Sequence, residues 1–394
     1  MLTSDRRTVL RAGFGVSYTE GYQGGGQLYK NLPFFFSQVV TTDQNARPPL
    51  LLKDGLPASV MPDINNQEQL SSGNPTAWDF DLKSTRSMQW SLGVQREIVP
   101  DLLLDLSYVG TRTLGLVAAY NINQSYPGPG AQGPRRPLYA VNPRVTNVNY
   151  RTNFGDAVYH SLQGRVEKRI WNGLSASLSY TWSKYLSNGG NLNGGGNAPP
   201  QDGNCFRCER GSMPEDRRHI AVINHVYELP FGAGRKYASR GVAGHLAGNW
   251  NVSGIWILST GEHFTPTLAA GASNSAGGGA ERPNRIRDGN LPVGERTIDR
   301  WFDLGAFAAP PQYSFGNASR GFLEGPGNFN LDLGVHRNFR LGERFRLSFR
   351  WEMFNALNRP NFAIPAAAIG NAQAGQIAGT AAARIMQMAL KLNF

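Results

Sequence analysis

The stretch PEDRRH at 214–219 sets the carboxyls of Glu215 and Asp216 beside Arg217, Arg218 and the imidazole of His219. Acid, base and proton shuttle in one short run is the inventory of a hydrolytic site. Such a site also needs a nucleophile, and neither a serine-centred elbow nor a paired His/Ser spacing supplies one. The stretch therefore reads first as a charged strand edge, and no catalytic residue is assigned. His219 and His225 lie on one expected strand. Six residues of strand span about 20 Å, too far for a shared metal. The other histidines are dispersed, so no metal site is expected. Cys205 and Cys208 form CFRC. A redox pair would need a βαβ context and a zinc site a second ligand pair. A small loop disulfide in an oxidising compartment is the reading that remains. GFGVSY at 13–18 and the glycine runs lack the strand–loop–helix setting of a nucleotide site, so no cofactor is expected. Arg344, Arg346 and Arg350, with Arg165 and Arg169, either line an anion path or are ordinary polar residues facing water.

What positions these residues is legible in the composition. Charged residues are 17% of the 394, low for a globular domain, while Gly (47) and Pro (24) are plentiful. The chain is too aromatic for disorder and too interrupted for a helical protein. No apolar run is long enough for a transmembrane helix. The net charge of +11, carried mostly by Arg, fits attraction to phosphates, of lipopolysaccharide or of an anionic substrate; a GC-rich genome gives the same bias. The arginines are scattered through strands rather than gathered in a patch, which argues against nucleic acid.

Ten segments alternate with the period of a strand: about 6–20, 85–98, 102–114, 158–170, 173–186, 216–229, 247–260, 328–339, 344–354 and 383–394. In RFRLSFRWEMF, Phe345, Leu347, Phe349, Trp351 and Met353 share one face, and Arg344, Arg346, Ser348, Arg350 and Glu352 the other. The final ARIMQMALKLNF does the same and ends on Phe394. Short turns at VPD, WNG and RLGER alternate with long Gly/Pro/Asn-rich connections at about 21–84, 115–157, 187–215, 261–327 and 359–382. The 230–246 connection is intermediate. Loops of that length are uncommon in compact soluble domains, yet short turns at one end and long loops at the other are the habit of outer-membrane barrels. Strand lengths suit a tilted bilayer crossing, and Trp171, Trp182, Tyr185, Tyr227, Trp250 and Trp351 sit near strand ends as an interfacial belt would. A soluble sandwich or propeller would share the alternation but not the loop parity. The expected fold is an all-β, antiparallel transmembrane β-barrel whose oily face meets lipid, located in the outer membrane of a Gram-negative-type bacterium.

YHSLQGRVEKRIWNGLSASLSYTWSKYL, DRRHIAVINHVYELPFGAGRKY and NFNLDLGVHRNFRLGERFRLSFRWEMFNALNRPNF resemble the C-terminal barrel of TonB-dependent receptors. More narrowly they resemble the Oar-like group, whose members carry a carboxypeptidase-regulatory-like domain. The resemblance implies an outer-membrane transporter with a barrel of about 22 strands around a plug. Residues 1–394 are expected to be its C-terminal part. The opening MLTSDRRTVLRAGFGVSYTE reads directly as a strand with no leader, and plug and TonB box are expected to be absent. The partners implied are outer-membrane lipid and lipopolysaccharide, the barrel-assembly machinery, and the TonB complex through the missing part only. Leu390, Leu392 and Phe394 are read as the C-terminal assembly signal. The substrate stays open, with 187–215 and 261–327 the expected ligand loops. Two other readings compete. Ten strands is an even number that can close alone as a porin or adhesin, although Gly13 and Gly15 weaken the first strand. A hydrolase would lose activity on His219→Ala; the expectation is that the chain is not an enzyme.

Overall fold

A computed structural model of the chain describes residues 7–19, 31, 51, 53, 55, 63, 65–66, 75–189, 199–232, 234–238, 240–342 and 344–394. Most of the expected loop 21–84 lies outside the described residues. Ten long strands form one sheet in chain order: β1 (Thr8–Thr19), β2 (Thr85–Val99), β3 (Leu102–Asn121), β4 (Asn149–Trp171), β5 (Leu174–Ser187), β6 (His219–Glu228), β7 (Trp250–Ser259), β8 (Asn328–Leu341), β9 (Phe345–Phe354) and β10 (Ile385–Asn393). Each pairs antiparallel with the next. The ladder ends at β1 and at β10, and those two strands do not pair with each other.

The register makes the alternation of single strands into two continuous faces. One row of direct partners runs Leu10, Val94, Leu106, Gly164, Tyr180, Ala221, Leu258 and Phe329 from β1 to β8. Another carries Leu333, Met353 and Met386 on to β10. Because side chains alternate strictly, the row beside the first is polar on most strands: Arg11, Gly93, Ser107, Gln163 and Thr181. The apolar face is uncovered. Met388 is 68% exposed, Leu390 69% and Phe394 94%. A surface of that kind would collapse or aggregate in water; in hydrocarbon it is solvated.

Glycines on the apolar face are roofed by rings from the neighbouring strand. A Cβ on Gly110 would meet the Trp90 indole at 2.3 Å, and one on Gly254 the His225 ring at 2.4 Å. Gly15, on the other face, has nothing within 4 Å. Gly110→Val is therefore expected to displace Trp90 and destabilise the folded sheet by about 1–3 kcal/mol. Gly15→Val should be neutral or mildly stabilising. Urea midpoints of the two variants in vesicles check the difference.

The turns follow from local chemistry. Asn172 and Gly173 have φ of 49° and 85°, the two left-handed residues of a type I′ hairpin that closes β4 onto β5. Asp101 (φ 63°) and Gly342 (φ 77°) serve the other short turns. The intermediate connection holds a helix, Gly241–Ala247. Trp250 Nε1 and the Arg337 guanidinium both donate to its Leu246 carbonyl.

At the opposite end the long connections are a folded head rather than open loops. Phe302, Ala306 and Leu323 are at most 1% exposed and pack with Phe264 and Phe307. Fully burying such side chains is worth about 1.5–3 kcal/mol each. Two-residue ladders tie the head together: His263–Phe264 with Leu323–Glu324, Asn284–Arg285 with Phe307–Ala308, and Thr267–Leu268 parallel to Ala368–Ile369. The expected 115–157 connection is shorter than read, because β3 and β4 stay paired as far as Asn121 and Asn149. Bulges between Leu114 and Ala118 shift the alternation by one. Leu116 and Ala118, at and beyond these shifts, are both buried, unlike the exposed apolar residues earlier on the strand.

Candidate functional site

Three connections converge on Gln201, at the foot of the head. Gln124 Nε2 donates to its carbonyl (2.7 Å), its own Nε2 donates to Gly316 O (2.9 Å), and its Oε1 accepts from Arg282 N (3.0 Å). Beside it Arg282 binds Glu209 two-pronged, at 2.7 and 2.9 Å, with both side chains almost completely buried. Glu209 ends the short helical turn Phe206–Glu209, which Cys205 and Cys208 close with a disulfide. Phe206 stacks on Phe154 with ring centres 3.9 Å apart and meets Tyr120 edge-on. The disulfide turn is thus pinned by aromatic stacking on the β3–β4 ladder and presents a carboxylate to an arginine from another loop.

The PEDRRH residues fall into three environments. Asp216 is buried, with Oδ2 3.0 Å from Lys184 Nζ and Oδ1 accepting from Tyr185 N at 2.9 Å. Lys184 also donates to Ser212 Oγ. Arg217 pairs with Glu262. His219 stands on the apolar face, its Nδ1 2.7 Å from Tyr180 Oη. Acid, base and imidazole are not convergent. The Ser212–Lys184 contact, which sequence reading missed because the residues lie 28 apart, looks like a nucleophile–base dyad. The same lysine is ion-paired with Asp216.

His263 lies against the same carboxylate, Nε2 to Oδ2 3.6 Å. Burial pushes its imidazole below the ordinary histidine value; Asp216 and Glu324 pull it back part of the way, while Lys184 and Arg218 oppose charging. The folded head then binds fewer protons here than the unfolded chain does. Its stability is complete above the ordinary range of about 6.5 and falls as pH drops through and below it. Acid titration of head unfolding should show this slope, and His263→Gln should flatten it.

The inner face is polar. Arg165 and Arg169 both pair with Glu167, at 3.0 and 3.4 Å. Arg346 and Arg350 share that face on β9, five strands away, and Arg346 lies directly opposite Arg340. The expected arginine row is therefore two separate groups. His225 covers Gly254 and does not approach His219. Leu390 and Leu392 lie opposite Phe349 and Leu347 on the outer face, and Phe394 follows β10. A cleft of about 640 Å³ opens where the head overhangs that face. Tyr180, His219, Leu258 and Phe329 line it from the sheet, and Arg296, Trp301 and Arg359 from the head.

The outer membrane beta barrel domain family matches residues 2–387. Among solved structures, the chain is similar to the outer membrane transporter YddB from Escherichia coli at 11% identity, covering 98% of this chain and 38% of that one with a TM-score of 0.47. It is similar to the ferric-catecholate import receptor Fiu from E. coli K12 at 13%, covering 100% and 33%, TM-score 0.41. For the siderophore receptor PiuA from Acinetobacter baumannii the values are 11%, 98% and 34%, and 0.41. The chain thus spans between 33% and 38% of these structures' length. No curated protein matches it. A ten-strand antiparallel meander with a continuous, uncovered apolar face, matched by one family across almost its entire length, leaves a single assignment: the chain belongs to the outer membrane β-barrel domain family and resides in the outer membrane.

Proposed function

We propose that the chain is the C-terminal barrel segment of a TonB-dependent outer-membrane transporter of the Oar-like group, built from about 22 strands in all. The observation that carries this reading is the pair of edges, β1 and β10, that have no partner strand among the described residues, on a sheet whose apolar face belongs in lipid. Hydrocarbon offers no hydrogen bonds to an open edge, so a spanning sheet must close. Strands from the rest of such a transporter close it, and the plug and the TonB contact belong to that remainder. The receptor-like stretches quoted above support the same reading. The head then faces the outside and the short turns the periplasm. We assign ligand contact to the connections 187–215 and 261–327, and the transported compound is unassigned.

The genomic test is an in-frame coding region for a plug immediately upstream; its absence sinks the proposal. A biochemical test uses the chain alone. Refolded in liposomes, it is expected to lack the heat-resistant, protease-resistant band of a closed barrel. A stable ten-stranded pore would favour an autonomous porin or adhesin. We assign assembly-machinery recognition to Leu390, Leu392 and Phe394. Phe394→Ser in the assembled receptor should sharply lower its outer-membrane level, read by quantitative immunoblot of membrane fractions, with little effect on synthesis.

A further inference from the structure

The cleft under the overhanging head is roofed by part of the 260–327 connection, but its floor is the lipid-facing side of the sheet, so it opens toward the membrane rather than toward the water-side surface proposed to meet a transported ligand. Tyr180, Ala221, Leu258 and Phe329 form that floor and are direct partners on four consecutive strands. They continue the apolar band without a break. The roof and rim carry charge. Arg359 lies over the Phe329 ring, 4.8 Å from its centre, and pairs with no carboxylate among the described residues. Arg296 is held over Trp301 at 5.6 Å and braced by a 2.8 Å hydrogen bond from its Nε to Leu291 O. The one acid in the cleft, Glu324, lies 4.0 Å from Arg296, which leaves the rim cationic. His219 adds an imidazole whose orientation is fixed by Tyr180.

A cleft with a hydrocarbon floor and a guanidinium rim, at the boundary between membrane band and water-side head, is complementary to one class of molecule. We infer that it holds an anionic, phosphate-bearing lipid from the leaflet on the head's side, with acyl chains along Tyr180, Leu258 and Phe329 and the phosphate between Arg359 and Arg296. Guanidinium and phosphate make charge-assisted, two-pronged contacts, and such contacts strengthen as the surroundings become less aqueous. The inference rests on the membrane setting of the sheet and not on transport, so it survives failure of the transporter reading.

The test uses the full chain in nanodiscs and two brominated lipids, phosphatidylglycerol and phosphatidylcholine, at equal mole fraction. Bromine quenches nearby tryptophan. Phosphatidylglycerol is expected to quench in excess of phosphatidylcholine, and Trp301→Phe is expected to remove most of that excess. The double variant Arg296→Gln/Arg359→Gln should weaken the preferential partition about tenfold or more, with the far-ultraviolet circular dichroism of the nanodisc-bound sheet unchanged. Equal quenching by the two lipids overturns the inference, as does an excess that persists in either variant. Loss of the excess on adding millimolar inorganic phosphate also overturns it, since that marks a free-anion site rather than a lipid site.

Discussion

Leu106→Arg is expected to lower the stability of the membrane-inserted barrel by about 2–4 kcal/mol, whereas Ser177→Arg leaves it nearly unchanged. Leu106 sits midway along the membrane stretch of β3, opposite Val94 and Gly164, and is 48% exposed. By ordinary soluble-protein logic a half-exposed leucine tolerates a charge. Here its exposed half faces acyl chains, and a guanidinium there loses its water. Ser177 is on the other face, opposite Glu167 and Asn224, where an arginine meets water and a carboxylate. Equilibrium refolding of the closed barrel into liposomes across a urea series measures both. Similar costs at the two positions would mean that protein or water, not lipid, covers both faces.

The second large effect lies in the head. Glu209→Ala strips Arg282 of its buried partner, and an uncompensated buried charge typically costs about 3–5 kcal/mol. The head should loosen while the sheet persists, so protease cuts within 260–327 before any loss of the folded-barrel band. The double replacement Glu209→Met/Arg282→Met should recover most of that loss, because removing both charges also removes the desolvation penalty. Failure of the double variant to recover would mean that Glu209 acts mainly through its other partners, the Gln201 backbone N–H that donates to its carboxylate at 3.3 Å and the Arg320 guanidinium 3.6 Å away.

The strands were legible in the sequence and the head was not, for a physical reason. A strand between lipid and water repeats its chemistry every second residue, so Phe345 to Met353 or Leu174 to Trp182 declare their faces locally. The signal failed where a bulge changed the phase, at Gly115, and the buried Leu116 beyond it looked like loop. The head has no period. Its core joins Phe264, Phe302 and Leu323 through two-residue ladders, and its ion pair joins residues 73 apart. The charged PEDRRH run was visible as chemistry, but its dispersal was not. Asp216 is buried against Lys184, while His219 meets Tyr180 four residues back along the same face of β5. Asp216 precedes the first residue of β6, so strand alternation could not place it.

Nearly all the water-soluble mass stands at one end of the sheet, and the other end carries tight turns such as Asn172–Gly173. A folded, charged lobe with a bidentate Arg–Glu clasp does not pass through hydrocarbon. Insertion into a preformed vesicle must therefore lead with the hairpins and leave the lobe in the solution from which the chain was added. Reconstituted material will be unidirectional, and every lobe will be open to antibody or protease without breaking the vesicle.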